Sequence, residues 1–118
     1  MKLLIAEDNQ LERESLTALA LSYGHETVAC PNGIEALEAL DFFAPDLIIL
    51  DLEMPRMGGH ELARQLQSRH PNSKWMLVAY TGRPSSERHA TALASGFTLC
   101  YHKPDDLPAI IAILEQSI

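Results

Sequence analysis

The sequence lacks the features that mark membrane-spanning, disulfide-linked and nucleic-acid-binding proteins. Its only two cysteines, Cys30 and Cys100, are too few for a disulfide framework and suit a reducing compartment. No apolar run approaches the roughly 20 residues of a membrane span, and Glu7 and Asp8 interrupt the first one. Lysine and arginine number 9 against 16 aspartate and glutamate residues, and the net charge of −7 argues against direct binding to nucleic acid. We therefore expect a cytoplasmic protein that neither crosses a membrane nor binds nucleic acid directly.

Length and composition indicate one ordinary folded domain. The chain has 118 residues, of which 47% are apolar, and both values are typical of a single globular domain. A domain of this length can bury roughly two thirds of the surface that its unfolded chain exposes, so it can fold alone. The sequence contains no repeat, low-complexity stretch or linker, and we treat residues 1–118 as one domain.

Short apolar runs alternate with helical patterns along the whole chain. The runs predict five buried strands: Lys2–Ala6, Glu26–Cys30, Asp46–Leu50, Trp75–Tyr80 and Thr98–Tyr101. Apolar residues at helical spacing predict five helices, marked by Leu16, Leu19, Ala20 and Tyr23; Ile34, Leu37 and Leu40; Leu62 and Leu66; Ala90, Leu93 and Ala94; and Leu107, Ile110, Ile111 and Leu114. The pattern predicts an α/β fold, a doubly wound (βα)₅ parallel sheet. We adopt the flavodoxin-like strand order 2-1-3-4-5, because it is the common one for five strands.

Polar residues follow four of the five predicted strands: Glu7 and Asp8, Asp51, Thr81 and Gly82, and Lys103. In the order 2-1-3-4-5 these four strands are neighbours, so the polar residues converge on the carboxyl edge of the sheet. Three converged carboxylates repel one another, and a bound divalent cation removes that cost. Because the donors are hard oxygens, the site favours Mg²⁺, with Mn²⁺ as a substitute. Lys103 adds a second positive charge, so the metal-loaded site would bind phosphate.

Each of these residues alone has an ordinary structural explanation. An acidic pair or a threonine after a strand often caps a helix, and an aspartate often begins a turn. The joint pattern is far more specific, because all of these residues fall at the ends of neighbouring strands.

Four segments of the sequence resemble the receiver domains of bacterial two-component response regulators, such as the chemotaxis response regulators. They are LLIAEDN (3–9), DLIILDLEMPRMGG (46–59), LVAYTG (77–82) and GFTLCYHKP (96–104). The resemblance covers essentially the whole chain. It implies a phosphorylation-activated switch of a phosphorelay, whose phosphodonor is a histidine kinase or a histidine phosphotransfer protein. Such a domain is not an enzyme with a separate substrate, because it catalyses only its own phosphorylation and dephosphorylation.

The resemblance also implies a role for each residue of the site. Asp51 would be the phosphoacceptor that becomes an aspartyl phosphate. The metal ligands would be Glu7, Asp8, Asp51 and, through its backbone carbonyl, Glu53. The residues that bind the phosphoryl group would be Thr81, Gly82 and Lys103. The bond between Lys103 and Pro104 is one that is usually cis in this family.

One position departs from the family pattern. Receiver domains usually have Tyr or Phe three residues before the lysine, coupled to the threonine, but here that residue is Cys100. Tyr101 is adjacent, yet neighbours on a strand face opposite sides of the sheet. We expect Thr81 and Cys100 to occupy the switch positions, with phosphorylation itself unaffected.

Two further expectations concern the surface. Glu53 and Arg83 each lie two residues beyond a site residue, and in the resembling family these positions influence the lifetime of the phosphoryl group. The surface that changes on phosphorylation, and through which the domain could dimerise, would comprise the predicted fourth helix, fifth strand and fifth helix. Tyr101 and Ile113 motivate this surface, since Ile113 lies off the apolar stripe of the last helix and is expected to face away from the core.

Two other functions are compatible with part of this pattern. A haloacid-dehalogenase-type phosphatase also begins with an aspartate after an apolar strand, but it needs a second aspartate where this chain has Glu53, and its acidic pair comes after the lysine. A receiver-fold interaction module that works without phosphate is the other alternative. Such a module gains nothing by keeping three unscreened carboxylates.

Overall fold

A computed structural model describes residues 1–82 and 96–116. Five strands form one parallel sheet: β1 (Lys2–Ala6), β2 (Glu26–Cys30), β3 (Leu47–Leu50), β4 (Met76–Thr81) and β5 (Leu99–His102). Their order in the sheet is β2-β1-β3-β4-β5. The predicted strands and their order are therefore confirmed, and every strand begins and ends within one residue of its predicted bounds.

The described residues contain four helices: α1 (Gln10–Ser22), α2 (Gly33–Ala39), α3 (Gly59–Arg69) and α4 (Leu107–Glu115). The predicted helix around Ala90, Leu93 and Ala94 lies outside the described residues. The last helix, fifth in the sequence prediction, is therefore α4. Within the described part of the chain, no helix combines the length and the apolar character that crossing a membrane requires.

The sheet is covered on both faces, which explains why its three central strands, β1, β3 and β4, are apolar along most of their length. Leu4 and Ala6 of β1 belong to a core cluster that packs against α2 and α3. The alternate residues Leu3 and Ile5 belong to a second cluster, which packs against α1 and α4. Successive side chains of one strand thus enter two different cores.

The orientation of Ile113 corrects one expectation. Ile113 does not face away from the core, because it is partly buried and packs against the cluster between α1 and α4. Tyr101 packs against the same cluster. In a helix with 3.6 residues per turn, Ile111 and Ile113 lie on opposite flanks of the stripe centred on Ile110 and Leu114, so periodicity cannot choose between them. The two residues that motivated a dimer surface therefore contribute to the core.

Candidate functional site

The register of the sheet brings the ends of β1, β3, β4 and β5 to one edge. Ala6 pairs with Leu50, and Leu50 pairs with Ala79. The ladder continues past the strand ends, since the Asp51 N–H donates to the Ala6 carbonyl at 3.0 Å. Glu7 and Asp51 are consequently neighbours on adjacent strands.

Lys103 reaches the same edge from β5. Its N–H donates to the Thr81 carbonyl at 2.8 Å, which holds the residue beside the end of β4. Its ammonium donates to Asp51 Oδ2 at 3.1 Å and to the carboxylate of Glu7. The same Nζ lies 5.6 Å from the centre of the Tyr80 ring, within range of a cation–π contact. These contacts hold the Lys103 side chain at the edge of the sheet, where it is only 12% exposed.

Three carboxylates form a cluster that could hold a cation. Oxygens of Glu7, Asp8 and Asp51 lie within 4.8 Å of one another. Glu7 is buried, whereas Asp8 is exposed to solvent. One ammonium cannot neutralise three carboxylates, and the donor set consists of hard oxygens, so the residues fit a divalent cation such as Mg²⁺.

Backbone contacts orient the loop that carries Glu7 and Asp8. The Arg13 guanidinium donates to the Glu7 carbonyl at 2.9 Å and lies 3.4 Å from the Asp8 carbonyl. The Asn9 N–H donates to Glu7 Oε2 at 3.1 Å. These bonds orient the first residues after β1. They leave Glu7 Oε1 available for its contact with Lys103.

The protonation of the cluster follows from burial and charge. Burial is the main cause that raises the pKa of Glu7 to about 7, and the nearby Asp51 charge acts in the same direction. The hydrogen bonds from Lys103 and from the Asn9 N–H oppose this rise. Burial alone would lower the pKa of Lys103, but its contacts with Glu7 and Asp51 outweigh burial and raise it. Lys103 therefore keeps its proton near neutral pH, and Glu7 keeps its proton to a higher pH than an ordinary glutamate does.

A pocket of about 360 Å³ opens beside this cluster and is lined by Glu12, Asp51, Glu53, Thr81, Gly82, Lys103 and Pro104. Asp51 Oδ1 accepts a hydrogen bond from the Glu53 N–H at 3.0 Å, while Oδ2 meets Lys103. Thr81 is buried, and its Oγ1 has no hydrogen-bond partner among the described residues. An unpaired buried hydroxyl is costly, so an oxygen-bearing group in the pocket would stabilise it.

Of the remaining predicted positions, the structure describes Cys100, Tyr101 and Pro104 but not Arg83. Cys100 packs against the cluster on the α2 and α3 side, whereas Tyr101 packs against the opposite one, as strand alternation predicts. The bond between Lys103 and Pro104 is cis, as expected. Arg83 lies outside the described residues.

Sequence reasoning missed two residues of the site, Glu12 and Arg13, which both lie on α1. Glu12 Oε2 lies 3.2 Å from Lys103 Nζ and lines the pocket. The signal that was available, Asn9 followed three residues later by Glu12, is typical of a helix cap and suggests a purely structural role. Arg13 carries no signal of its own, because a lone arginine on an exposed helix is usually solvated.

Comparisons with known proteins agree with this geometry. The model of the response regulator receiver domain family matches residues 3–115. The chain is 38% identical over 80 residues to Regulator of RpoS from Escherichia coli (strain K12), an alignment that covers 68% of this chain and 24% of that protein. It is 31% identical over 118 residues to the transcriptional regulatory protein PdtaR of Mycobacterium tuberculosis (strain CDC 1551 / Oshkosh), which covers 99% of this chain and 56% of that protein. The chain thus spans about a quarter and about half of the lengths of these two relatives.

Solved structures support the fold. The chemotaxis protein CheY4 of Vibrio cholerae superimposes with a TM-score of 0.88 at 24% sequence identity, and the match covers 99% of this chain and 98% of that one. That identity is low, so this likeness supports the fold alone, and the family follows from the sequence match. Because the family model matches nearly the whole chain, from residue 3 to residue 115, this protein belongs to the response regulator receiver domain family.

Proposed function

We propose that residues 1–118 form a phosphorylation-activated signalling switch that accepts a phosphoryl group on Asp51. The observation that carries this proposal is the placement of Asp51 Oδ2 3.1 Å from Lys103 Nζ, beside the carboxylates of Glu7 and Asp8. The proposed donor is a histidine kinase or a histidine phosphotransfer protein of the cytoplasm. The chain would act on no separate substrate and would catalyse only its own phosphorylation and dephosphorylation.

The acidic cluster is the proposed metal site. Mg²⁺, or Mn²⁺ in its place, would be held by Glu7, Asp8, Asp51 and the backbone carbonyl of Glu53. When bound, the cation neutralises the charge that the acceptor carboxylate and the incoming phosphoryl oxygens bring together. The contacts of Arg13 with the Glu7 and Asp8 carbonyls keep the first two of these ligands in position.

The residues of the chain would contribute to phosphoryl transfer by positioning the reacting groups and by neutralising negative charge. A carboxylate oxygen of Asp51 attacks phosphorus, the bond from phosphorus to the donor's histidine nitrogen breaks, and the electron pair of that bond stays on the imidazole. Lys103 pairs with one phosphoryl oxygen, and the hydroxyl of Thr81 donates to another. The backbone of Gly82, which lines the same pocket, leaves room for the phosphoryl group. Phosphoryl transfer needs little covalent help beyond such positioning.

The switch would begin at Thr81. Its buried and unpaired hydroxyl gains a partner when the phosphoryl group arrives, and this favours its movement toward Asp51. Cys100 lies on the same face of the sheet two positions away in register, since it pairs with Ala79. A cysteine is smaller than the aromatic residue usual in the family, so this switch would work without rotation of a ring.

The partner surface and the lifetime of the phosphoryl group are parts of the same proposal. The surface would comprise the predicted fourth helix, β5 and α4, where a second copy or an effector could bind. Glu53, which lines the mouth of the pocket, and Arg83 would tune the access of water to phosphorus.

Intact-mass measurement after incubation with acetyl phosphate and Mg²⁺ tests the acceptor. The parent chain should gain the mass of one phosphoryl group, and Asp51→Asn should gain none. Asp46→Asn is a matched control, because Asp46 precedes the same strand at the opposite end of the sheet and accepts a hydrogen bond from the Lys2 N–H. Phosphorylation of Asp51→Asn would show that another residue is the acceptor.

The same experiment separates the alternatives. An unmodified parent chain would favour a receiver-fold interaction module that does not use phosphate. Steady release of phosphate from a phosphomonoester would favour a phosphatase, but the family match gives that alternative no support.

A further inference from the structure

We infer that Glu12 competes with the phosphoryl group for Lys103 and so slows phosphorylation of Asp51 by strongly charged donors. The inference rests on the proposed role of Asp51. It assigns to an α1 side chain a part in selecting the donor, a role that the motifs of the family do not suggest for this position. Glu12 is a positioning residue in this scheme, because it acts on the reaction through Lys103.

The contact itself is the first observation. Glu12 Oε2 lies 3.2 Å from Lys103 Nζ, and Glu12 lines the pocket that Asp51, Thr81 and Lys103 share. The side chain of Glu12 is half exposed, whereas that of Lys103 is largely buried. A solvent-facing carboxylate thus reaches inward to the ammonium that would receive the phosphoryl oxygen.

The cap of α1 explains why Glu12 is available. The Asn9 side chain caps the helix by accepting from the Glu12 N–H at 3.0 Å. In a capping box, the glutamate at this position would accept in return from the backbone N–H of the capping residue. Here Glu7 Oε2 already accepts from the Asn9 N–H. The carboxylate of Glu12 is therefore released from the cap and contacts Lys103.

Glu12 and the phosphoryl group compete for Lys103 because its ammonium has a limited number of N–H donors. An ammonium has three N–H donors, and Lys103 contacts three carboxylates, those of Glu7, Glu12 and Asp51. A phosphoryl oxygen can pair with Lys103 only if one of them is displaced. Glu12 is the most exposed of the three and the only one outside the proposed metal site, so it is the partner that the phosphoryl group replaces.

Charge repulsion acts in the same direction. An incoming donor must bring its negative charge into a pocket that Glu12 also lines, and the effect grows with the charge of the donor. Acetyl phosphate is doubly negative near neutral pH, whereas phosphoramidate is singly negative. Because Glu12 is half exposed, we expect only a modest effect of roughly two- to five-fold on rate.

The test compares Glu12→Gln with Glu14→Gln. Glu14 lies on the same helix, is exposed and accepts from the Gln10 amide at 3.0 Å, so the two variants change the net charge equally. Initial rates of phosphorylation are measured by intact mass with each donor at saturating Mg²⁺ and fixed ionic strength. Glu12→Gln should accelerate the reaction with acetyl phosphate roughly two- to five-fold and the reaction with phosphoramidate less, while Glu14→Gln matches the parent. Added salt should reduce the difference.

Three results would overturn the inference: an unchanged or slower rate in Glu12→Gln, an equal gain with both donors, or an equal gain in Glu14→Gln. An equal gain with both donors would mean that the charge of the donor is irrelevant. Thermal unfolding of the variants shows whether each is folded, and a folded but unaccelerated Glu12→Gln counts against the inference. If the parent chain itself takes no phosphoryl group from either donor, the proposed role of Asp51 fails, whereas the results above leave that role intact.

Discussion

The interior of the sheet and its carboxyl edge belong to the same strands, but they differ in what surrounds their buried side chains. Leu3, Leu4 and Ile5 of β1 are fully buried among apolar side chains. Two residues after Ile5, Glu7 is also buried, but its neighbours are Asp51 and Lys103. Burial stabilises the interior directly, whereas the burial of Glu7 at the edge costs free energy that its hydrogen bond with Lys103 only partly offsets. The interior therefore supplies most of the stability, and the buried Glu7 at the edge reduces it.

The largest expected effect comes from truncating the interior. Leu4→Ala should lower the free energy of unfolding by about 2–5 kcal/mol, because it removes a fully buried side chain and leaves a cavity. Urea unfolding followed by circular dichroism measures the change. Leu21→Ala is the control, since Leu21 is 55% exposed and its truncation should change stability by less than about 1 kcal/mol. Similar losses in both variants would contradict the division between interior and surface.

At the edge, loss of a carboxylate should affect metal binding far more than folding. Asp8→Asn should weaken Mg²⁺ binding by about tenfold or more, because it removes a negative charge from the proposed metal site and replaces a carboxylate with a neutral amide. Its free energy of unfolding without metal should fall by less than that of Leu4→Ala, since Asp8 is exposed. Calorimetric titration with Mg²⁺ gives the affinity. Binding as tight as that of the parent would show that Asp8 is not a ligand.

The pH dependence of stability should distinguish the carboxyl edge of the sheet from its apolar interior. The pKa of Glu7 is raised to about 7, so between its ordinary value of 4.5 and about 7 the folded state binds more protons than the unfolded state. Stability without metal should therefore fall as the pH rises through this window, and Glu7→Gln should remove that contribution. The stability of Glu7→Gln relative to the parent should rise from about pH 5 to about pH 8 in chelator. A constant difference across that range would mean that Glu7 does not titrate there.

The smallest effect is expected at the opposite end of the sheet. Trp75 directly precedes β4, its ring lies 5.5 Å from that of His70, and the acidic cluster follows the other ends of the strands. Saturating Mg²⁺ should therefore leave the tryptophan fluorescence almost unchanged. Strong quenching by Mg²⁺, absent in Asp8→Asn, would show that the site is coupled to the far end of the sheet.

Much of this architecture is predictable from the sequence for a simple reason. A strand buried on both faces must be apolar along its length, so runs such as Leu47–Leu50 stand out, and the polar residue that follows must lie at the edge of the sheet. Glu7, Asp51 and Lys103 are such residues, and the structure brings them together. The strand order is predictable only as the common one for five strands, because periodicity within a strand carries no information about its neighbours.

Only the tertiary structure decided which elements meet. Ile111 and Ile113 lie on opposite flanks of one apolar stripe, and the packing of α4 beside α1 brought Ile113 against the core. Glu12 has the position of a helix cap in the sequence, and it contacts Lys103 because the Lys103 side chain reaches across the carboxyl edge of the sheet and Glu7 takes the place of Glu12 at the cap. The sequence determined the face of each element on which a side chain lies, through a period of two or 3.6 residues. Contacts between residues separated by 91 positions, as Glu12 and Lys103 are, depend on how the elements pack, and no local period encodes that packing.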